Sequence, residues 1–270
     1  MSYVIHLLSE AWQQRGIEVE VTTETDRAVG SDVLVFPHLD LTVTPPLYQS
    51  FFERCARVLN RGVKDISKRR ISRNLLSAAD EYDGPVIVKT NRNAGGEPEF
   101  KRVRREGGIN GLLLNLARRL PWTVTGMVSG PLDYKVYDTP RLVPRAVWHN
   151  PRLVVEKFIA ERQGDLYCLR QYTFLGSAEL NTIAFSPVPI VKARNVVRRE
   201  VLTETPPGLR ELRKQLGFDY GKFDYVMREG EVVLFDANRT PTASAASKAG
   251  SASSLVLGLA SGIDAYLEAA

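Results

Sequence analysis

Two carboxylates and a carboxamide lie close together in the stretch GKFDYVMREGEVVLFDANRTP, residues 221–241. The stretch is typical of two short strands joined by a tight turn. Because strand side chains alternate between faces, Lys222, Asp224, Asp236 and Asn238 can share one face of the hairpin.

The shared face depends on the turn. A three-residue loop, Arg228-Glu229-Gly230, is favoured because glycine in third place accepts the left-handed conformation. This register pairs Met227 with Glu231, Asp224 with Leu234, and Lys222 with Asp236. It turns Phe223, Tyr225, Val233, Phe235 and Ala237 toward a core. A two-residue Glu-Gly turn would instead separate Asp224 from Asp236.

Paired carboxylates on one face have two interpretations. Diagonal neighbours lie about 7–8 Å apart or less, and like charges at such a distance repel unless a cation or a shared proton compensates. A hard divalent cation with oxygen ligands, such as Mg²⁺, would provide that charge. The alternative is a polar strand face under a loop, with Lys222 neutralising one acid.

The bulk properties are those of an ordinary folded protein. The chain has 270 residues, 44% of them hydrophobic, and a net charge of +5 that favours anionic partners. The two cysteines lie far apart without metal or redox spacing, which favours a reduced compartment, and the three scattered histidines argue against a His-based zinc site. No run reaches the roughly 18 apolar residues of a membrane span, and the first residues lack the basic start of a secretion signal. These features predict a cytoplasmic protein without a membrane segment.

Helices and strands alternate before the hairpin. Helical periodicity marks residues 3–15, 66–80, 109–120 and 207–218, whereas 17–21, 32–37, 84–90, 151–159 and 165–176 are typical of strands, as is the stretch leading to 189–197. Residues 91–108 are rich in glycine and charge and predict a loop. The segment after the hairpin is rich in Ala, Ser and Gly, and its later part is helical.

Three features occur in the order and spacing of one family: a strand ending in lysine at 84–90, VVEKFI at 154–159, and the hairpin followed by DANRTP. The sequence thereby resembles the ATP-grasp superfamily over roughly residues 55–250. The resemblance implies an α/β protein made of α+β lobes, with a short Rossmann-like N-terminal domain. The implied division is a reduced N-terminal domain at 1–65, a central lobe at 66–157, and a C-terminal lobe carrying the metal-binding hairpin at 158–270.

The resemblance assigns nucleotide-binding roles. Lys68 and Lys89 are similar to lysines that reach the phosphates, and residues 91–96 to the flexible loop above them. The hinge segment of Glu156, Lys157, Phe158 and Ile159 would meet the adenine ring. The ribose acid is either Glu161 or Asp165, of which Asp165 is better placed at the start of a strand.

The same comparison assigns the chemistry. Asp224, Asp236 and Asn238 are similar to the ligands of Mg²⁺, usually two ions, with Mn²⁺ as a substitute. Lys222, Lys192, Arg194 and Arg170 are the candidate cations for the transferring phosphoryl group. Two departures weaken any subfamily assignment: Asp236 stands where relatives usually have Glu, and Thr242 where many have Gly.

The implied activity is an ATP- and Mg²⁺-dependent ligase. It would activate the carboxylate of a small molecule or peptide as an acyl phosphate, for attack by an amine or similar nucleophile. Members of the family are often homodimers. A phosphotransferase or a non-catalytic nucleotide-binding protein stays open as an alternative. A nucleic-acid binder is less favoured, because the basic runs SKRRISR and KRVRR lack interleaved aromatic residues.

Overall fold

The computed structural model describes residues 3–108, 116, 120–127, 134–242 and 251–267. The predicted helix at 109–120 therefore lies largely outside the described residues. Within them, the fold is α+β, as expected, and contains three sheets with helices packed on them. No helix among these residues is long and apolar enough to cross a bilayer.

The N-terminal part contains the helix Val4–Gln14, strand β1 (Leu34–Val35), the helix Pro46–Arg54 and strand β2 (Arg57–Val58). β1 and β2 are parallel, with the second helix as their crossover. The predicted strand at 17–21 is wrong: these residues form no regular structure and Val21 is almost fully exposed. Among the residues that the structure describes, no strand pairs with this segment.

The central part is a four-stranded antiparallel sheet in the order β3-β6-β4-β5. Its strands are β3 (Leu75–Leu76), β4 (Val86–Thr90), β5 (Lys135–Tyr137) and β6 (Leu153–Lys157). Short helices accompany it at Lys68–Ile71, Trp122–Thr125 and Arg145–Trp148, and a longer one at Glu97–Glu106. The predicted 66–80 helix is thus a single turn followed by β3, and the predicted 91–108 loop is largely helical.

The C-terminal part is a six-stranded antiparallel sheet ordered β10-β9-β8-β11-β12, with β7 also pairing with β8. The strands are β7 (Glu161–Gln163), β8 (Leu166–Leu175), β9 (Ala178–Ser186), β10 (Arg198–Leu202), β11 (Tyr220–Arg228) and β12 (Glu231–Asn238). The helices are Pro207–Leu216, Ser251–Ala260 and Asp264–Leu267.

Two cores fix the C-terminal sheet. One face packs Tyr172, Phe174, Phe223 and Tyr225 against the helix Pro207–Leu216. The far end of the sheet packs against the N-terminal and C-terminal helices through a second cluster that includes Leu8, Trp12, Tyr220 and Leu259. Since the aromatic face is buried, the opposite face of β8, β11 and β12 is left for polar side chains.

Candidate active site

The hairpin turn differs from the expected one. Arg228 pairs with Glu231, so the loop consists of two residues, Glu229 and Gly230. Both have positive φ, 53° and 82°. This is the left-handed pair that two-residue hairpins favour, because its twist matches that of the strands. The three-residue prediction was therefore wrong.

A β-bulge nevertheless brings the two carboxylates together. Tyr225 pairs with Leu234 but Asp224 pairs with Asp236, so Phe235 has no partner in the ladder. The extra residue shifts the register by one, and Asp224 and Asp236 become direct cross-strand partners. Lys222 pairs with Asn238 and not, as predicted, with Asp236. Their common face is the one that the sequence predicted, although by a different route.

The bulge also changes which side chains enter the core. Leu234 and Val232 pack against the aromatic cluster, whereas the prediction placed Val233 and Phe235 there. Phe235 instead lies under Lys89, whose Nζ is 5.0 Å from the ring centroid. Since Lys89 belongs to the central sheet, this contact joins the two sheets across the cleft. Phe235 is therefore a candidate site residue that the sequence pattern did not indicate.

Lysines surround the paired carboxylates. Lys68 Nζ lies 2.5 Å from Asp236 Oδ1 although Lys68 is only 3% exposed, and Lys222 Nζ lies 3.0 Å from Asp224 Oδ1. Burial opposes the charge on Lys68, but Asp236 outweighs it and holds the Lys68 pKa above its ordinary value. Lys192 has no such close partner in the described residues, and burial lowers its pKa despite the attraction of both carboxylates.

Two further polar residues contribute to this face, and no local pattern in the sequence marks either of them. Gln171 on β8 donates from Nε2 to Asp224 Oδ1 over 3.0 Å. Arg199 on the edge strand β10 donates from Nη1 to Gln171 Oε1. Burial works against ionisation of Asp224, but Lys222, Lys192 and Gln171 outweigh it and keep its pKa below the ordinary value.

The central sheet contributes a buried ion pair. β4 and β6 pair Lys89 with Val154 and Ile87 with Glu156, which makes Lys89 and Glu156 diagonal neighbours. Lys89 Nζ donates to Glu156 Oε2 over 2.6 Å, and Glu156 is fully buried. Its other oxygen, Oε1, is buried with no hydrogen-bond donor among the described residues. A buried carboxylate oxygen without a donor costs free energy, so a ligand N–H would satisfy it.

The rest of the hinge segment is held by the protein. The Lys157 N–H donates to the Asn74 carbonyl and the Phe158 N–H to the Pro85 carbonyl, so neither is free to meet a ring. The Lys157 ammonium lies 5.1 Å from the centroid of the Tyr82 ring. Ile159 follows directly and is partly buried.

Three predicted site residues are not brought to the cluster. Arg170 lies on the opposite face of β8 from Gln171 and forms a bidentate pair with Glu161, so neither is available. Asp165 is exposed in the turn between β7 and β8, and not at the start of a strand. Arg194 is exposed in a 3₁₀ turn, Ala193–Asn195, whereas the prediction assumed extended backbone that aligned it with Lys192.

The predicted phosphate loop has unusual backbone geometry. Ala94, Gly95 and Gly96 all have positive φ and lead into the helix Glu97–Glu106. This loop is fixed to the N-terminal part through Thr42. The Asn93 N–H donates to Thr42 Oγ1 (3.0 Å), and the Thr42 N–H donates to Glu99 Oε1 (2.8 Å).

A hard metal ion fits the donor set. No group of three His, Cys, Asp or Glu residues that could hold a metal is present among the described residues, so the protein would supply two carboxylates and one amide oxygen. Asp224 and Asp236 are directly opposed, and Asn238 Oδ1 accepts from the Thr240 N–H over 2.8 Å. An oxygen set that leaves coordination positions for phosphate and water is typical of Mg²⁺.

Two cavities lie elsewhere in the part of the chain that the structure describes. One of about 300 Å³ is lined by residues of the N-terminal part and Arg239. Another of about 650 Å³ lies beside Tyr82 and Trp148. Neither is lined by the lysines or carboxylates described above, so the chemistry of the side chains, and not enclosure, identifies the site.

No protein-family model matches the sequence, and no curated protein matches it. Solved structures are similar. A RimK-domain ATP-grasp protein from Sphaerobacter thermophilus is 14% identical, with a TM-score of 0.50 over 96% of this chain and 95% of that one. Two other structures are less similar. The D-cycloserine synthetase DcsG is 15% identical, with a TM-score of 0.42 over 97% of this chain and 94% of that one. The D-alanine–D-alanine ligase of Bacillus anthracis complexed with ATP is 16% identical, with a TM-score of 0.36 over 74% of this chain and 62% of that one. The chain therefore has the ATP-grasp fold, as the order of its sequence motifs predicted.

Proposed function

We propose that this protein is an ATP- and Mg²⁺-dependent ligase that activates a carboxylate for attack by an amine or a similar nucleophile. One observation carries the proposal: two opposed carboxylates, Asp224 and Asp236, lie among lysines on the face of the sheet that meets the buried Lys89–Glu156 pair. An anionic nucleotide needs this combination of an adenine acceptor, phosphate-binding cations and metal-binding oxygens in one cleft.

Glu156 would define the adenine end of the cleft. Its Oε1 is buried and has no donor among the described residues, while Oε2 is occupied by Lys89. The exocyclic amino group of adenine is a donor of the required kind. The aromatic ring of Phe235, on which Lys89 already lies, supplies an apolar surface beside it.

The lysines would bind the phosphates. Four basic side chains surround the two hairpin carboxylates: Lys68, Lys192, Lys222 and Arg199. Together with Lys89 they make five positive charges in the cleft, against three carboxylates, those of Glu156, Asp224 and Asp236. A polyphosphate would therefore enter a region of positive potential. Lys68 and Lys222 each form an ion pair with one of the carboxylates. Binding of ATP with Mg²⁺ would replace these two ion pairs by lysine–phosphate and carboxylate–metal contacts. Lys192, which has the weaker pairing, is the cation most ready to meet phosphate oxygens.

In the chemical step the protein would act mainly by positioning the reactants and stabilising charge, without a covalent bond to the substrate. Mg²⁺, held by Asp224, Asp236 and Asn238, would supply charge neutralisation on the phosphate oxygens. Lys222 and Lys192 would stabilise the charge that spreads over the γ-phosphoryl group as it moves to the substrate carboxylate. Gln171 would hold Asp224 in position through its hydrogen bond, and Arg199 would hold Gln171. The resulting acyl phosphate is open to an amine, which forms the new bond as phosphate leaves.

The test is substrate-dependent phosphate release. Purified protein with Mg²⁺ and ATP would be screened against pairs of carboxylates and amines, with products identified by mass spectrometry. ADP, phosphate and a new amide support the ligase. ADP with a phosphorylated product would indicate a phosphotransferase, and nucleotide binding without turnover would indicate a non-catalytic protein.

A variant pair links the activity to the hairpin. Asp224→Asn keeps the side-chain shape but removes a metal-binding charge, and we expect turnover to fall by about 100-fold or more. Asp138→Asn, at an exposed position of the central part, is the matched control and should match the wild type. Near-normal turnover by a folded Asp224→Asn protein would refute the assignment.

A further inference from the structure

Strand β10 leaves a run of exposed residues at the edge of the C-terminal sheet. It is an end strand in the order β10-β9-β8-β11-β12, and within the described part of the chain no strand pairs with its outer side. Val197 precedes it directly and continues the pairing, because its N–H donates to the Phe185 carbonyl over 2.9 Å. Residues 197–201 are all exposed. An uncovered edge presents backbone N–H and C=O groups that another strand can bind.

One face of this edge carries an ion pair. Arg198 pairs with Phe185 on β9, and its guanidinium carbon lies 4.1 Å from the centre of that ring. Glu200 is two residues further along the strand and so shares this face. Arg198 Nε lies 3.2 Å from Glu200 Oε1, and both side chains are about half exposed. Each therefore keeps an open side for a second partner of opposite charge.

The other face carries two exposed valines with an arginine between them in the chain. Val197 is 64% exposed and Val201 is 55% exposed. Between them, Arg199 donates from Nη1 to Gln171 Oε1 on β8. This hydrogen bond directs the guanidinium across β9 toward the middle of the sheet, so the valines are the apolar groups at the outer edge.

The stretch 197–201, Val-Arg-Arg-Glu-Val, is complementary to itself about its central residue. When two copies of one strand pair antiparallel around a twofold axis, residue i faces residue j of the second copy, and j faces i. With the axis level with Arg199, Arg198 faces Glu200 of the second copy and Val197 faces Val201. Each pair occurs twice. Opposite charges and apolar side chains that face each other across a strand pair stabilise it.

Neighbouring registers lack this complementarity. Paired side chains must lie on one face of the sheet, so a twofold axis perpendicular to the sheet is level with a residue. An axis at Glu200 would set two carboxylates against each other, and an axis at Arg198 two guanidinium groups. With the axis at Arg199 two arginines also face each other, but each is drawn inward by Gln171 of its own chain.

We propose that β10 pairs antiparallel with β10 of a second copy of this chain, in the register centred on Arg199, and so joins the two C-terminal sheets in a homodimer. The contact is smaller than the roughly 20–30 residues a side of a stable interface. We therefore expect a weak dimer, with a dissociation constant on the order of 10–300 µM. The proposal does not rest on the ligase activity, because dimerisation is measured without nucleotide or metal.

The experiment is sedimentation velocity on the full chain at about 5 to 500 µM, a range that brackets the expected dissociation constant. The wild type should pass from monomer to dimer over this range. Val201→Lys should dimerise at least about tenfold more weakly, because both valine pairs are lost and an unpaired charge enters each. Val21→Lys is the matched control and should behave like the wild type, since Val21 is 90% exposed and lies outside regular structure.

Charge reversal tests the register. The Arg198→Glu chain carries a carboxylate at both positions of the ion pair, and the Glu200→Arg chain a guanidinium at both. Each variant alone opposes like charges twice and should dimerise at least about tenfold more weakly than the wild type. Mixed in equal amounts, the two variants should form a heterodimer about as tight as the wild-type dimer, because every carboxylate then faces a guanidinium. The double variant Arg198→Glu/Glu200→Arg should also dimerise like the wild type.

Three results would overturn the proposal, with folding of each variant checked by circular dichroism. The first is wild-type protein that stays monomeric over the whole range. The second is a dimer that Val201→Lys or the single charge reversals leave unchanged, which would place the contact elsewhere. The third is a mixture of the two charge variants that stays monomeric, which would exclude the register centred on Arg199.

Discussion

The buried pair of Lys89 and Glu156 can be tested by a double-mutant cycle with Lys89→Met and Glu156→Met. Methionine is unbranched and fills the space of either side chain without a charge. Glu156 is fully buried and Lys89 nearly so, and their atoms lie 2.6 Å apart. Removal of one partner leaves the other as an uncompensated buried charge, which costs about 3–5 kcal/mol.

The double variant should behave differently from the sum of the singles. Replacement of a whole buried ion pair by apolar groups of similar volume is often neutral or stabilising. We therefore expect the double variant to lie within about 1–2 kcal/mol of the wild type, which implies a coupling energy of at least about 3 kcal/mol. Urea unfolding followed by circular dichroism at neutral pH measures all four proteins.

The same cycle separates stability from nucleotide binding. The double variant should recover stability but has neither the proposed acceptor for adenine nor the lysine beside it. We expect it to lose binding of a fluorescent ATP analogue as completely as the single variants. Additive destabilisation in the double variant would refute the reasoning, because it would mean that Lys89 is stabilised by groups other than Glu156, such as the Phe235 ring.

Three further predictions concern the scaffold. Burial works against ionisation of Glu179, but Arg210 and Tyr172 outweigh it and lower its pKa from 4.5. Its contribution to stability is present above pH 4.5 and is lost as the pH falls through the lowered pKa. The urea midpoint of Glu179→Gln should therefore lie below that of the wild type at neutral pH and approach it in acid, and an unchanged difference near pH 2 would contradict this. Gly262→Ala should destabilise the fold by about 1–3 kcal/mol or more, because the added Cβ would lie 1.8 Å from the Leu175 carbonyl oxygen. Gly258→Ala is its control and should be neutral or stabilising in thermal unfolding. Arg170→Lys should lose about 1–3 kcal/mol by breaking the bidentate pair with Glu161, while ATP turnover by the folded protein stays within about twofold. A large loss of turnover in a variant of normal stability would instead show that Arg170 takes part in the reaction.

The parts of the fold that follow from local pattern were predictable. The helix Val4–Gln14, the strand Val86–Thr90 and the helix Pro207–Leu216 agree with periodicity and with their flanking glycine and proline residues. The helix Glu97–Glu106 was not predicted, because it follows a glycine-rich segment and contains few apolar residues from which a helical period could be recognised. Its amphipathic signal lies almost entirely in the positions of Glu and Arg.

Residue types and strand alternation predicted that Asp224 and Asp236 share a face, but not the cross-strand pairing by which they do so. Asp224 and Asp236 share a face because a two-residue turn and a bulge each shift the register by one. The turn was one of two that the sequence allows, but the bulge leaves no mark in the sequence pattern. Gln171 on β8 donates to Asp224, and Arg199 on β10 donates to Gln171. Their roles depend on the order of strands in the sheet, which a single sequence does not encode locally.

The position of Thr42 has a consequence for motion of the glycine loop. Its hydroxyl accepts from Asn93 and its amide donates to Glu99, so one residue holds the loop at both its start and the helix that follows. The adjacent carbonyl of Leu41 is in turn bound by Arg239 at the end of the hairpin. If the loop moves, the segment around Thr42 must move with it or both hydrogen bonds of Thr42 must break. The N-terminal segment therefore limits how far the loop can be displaced.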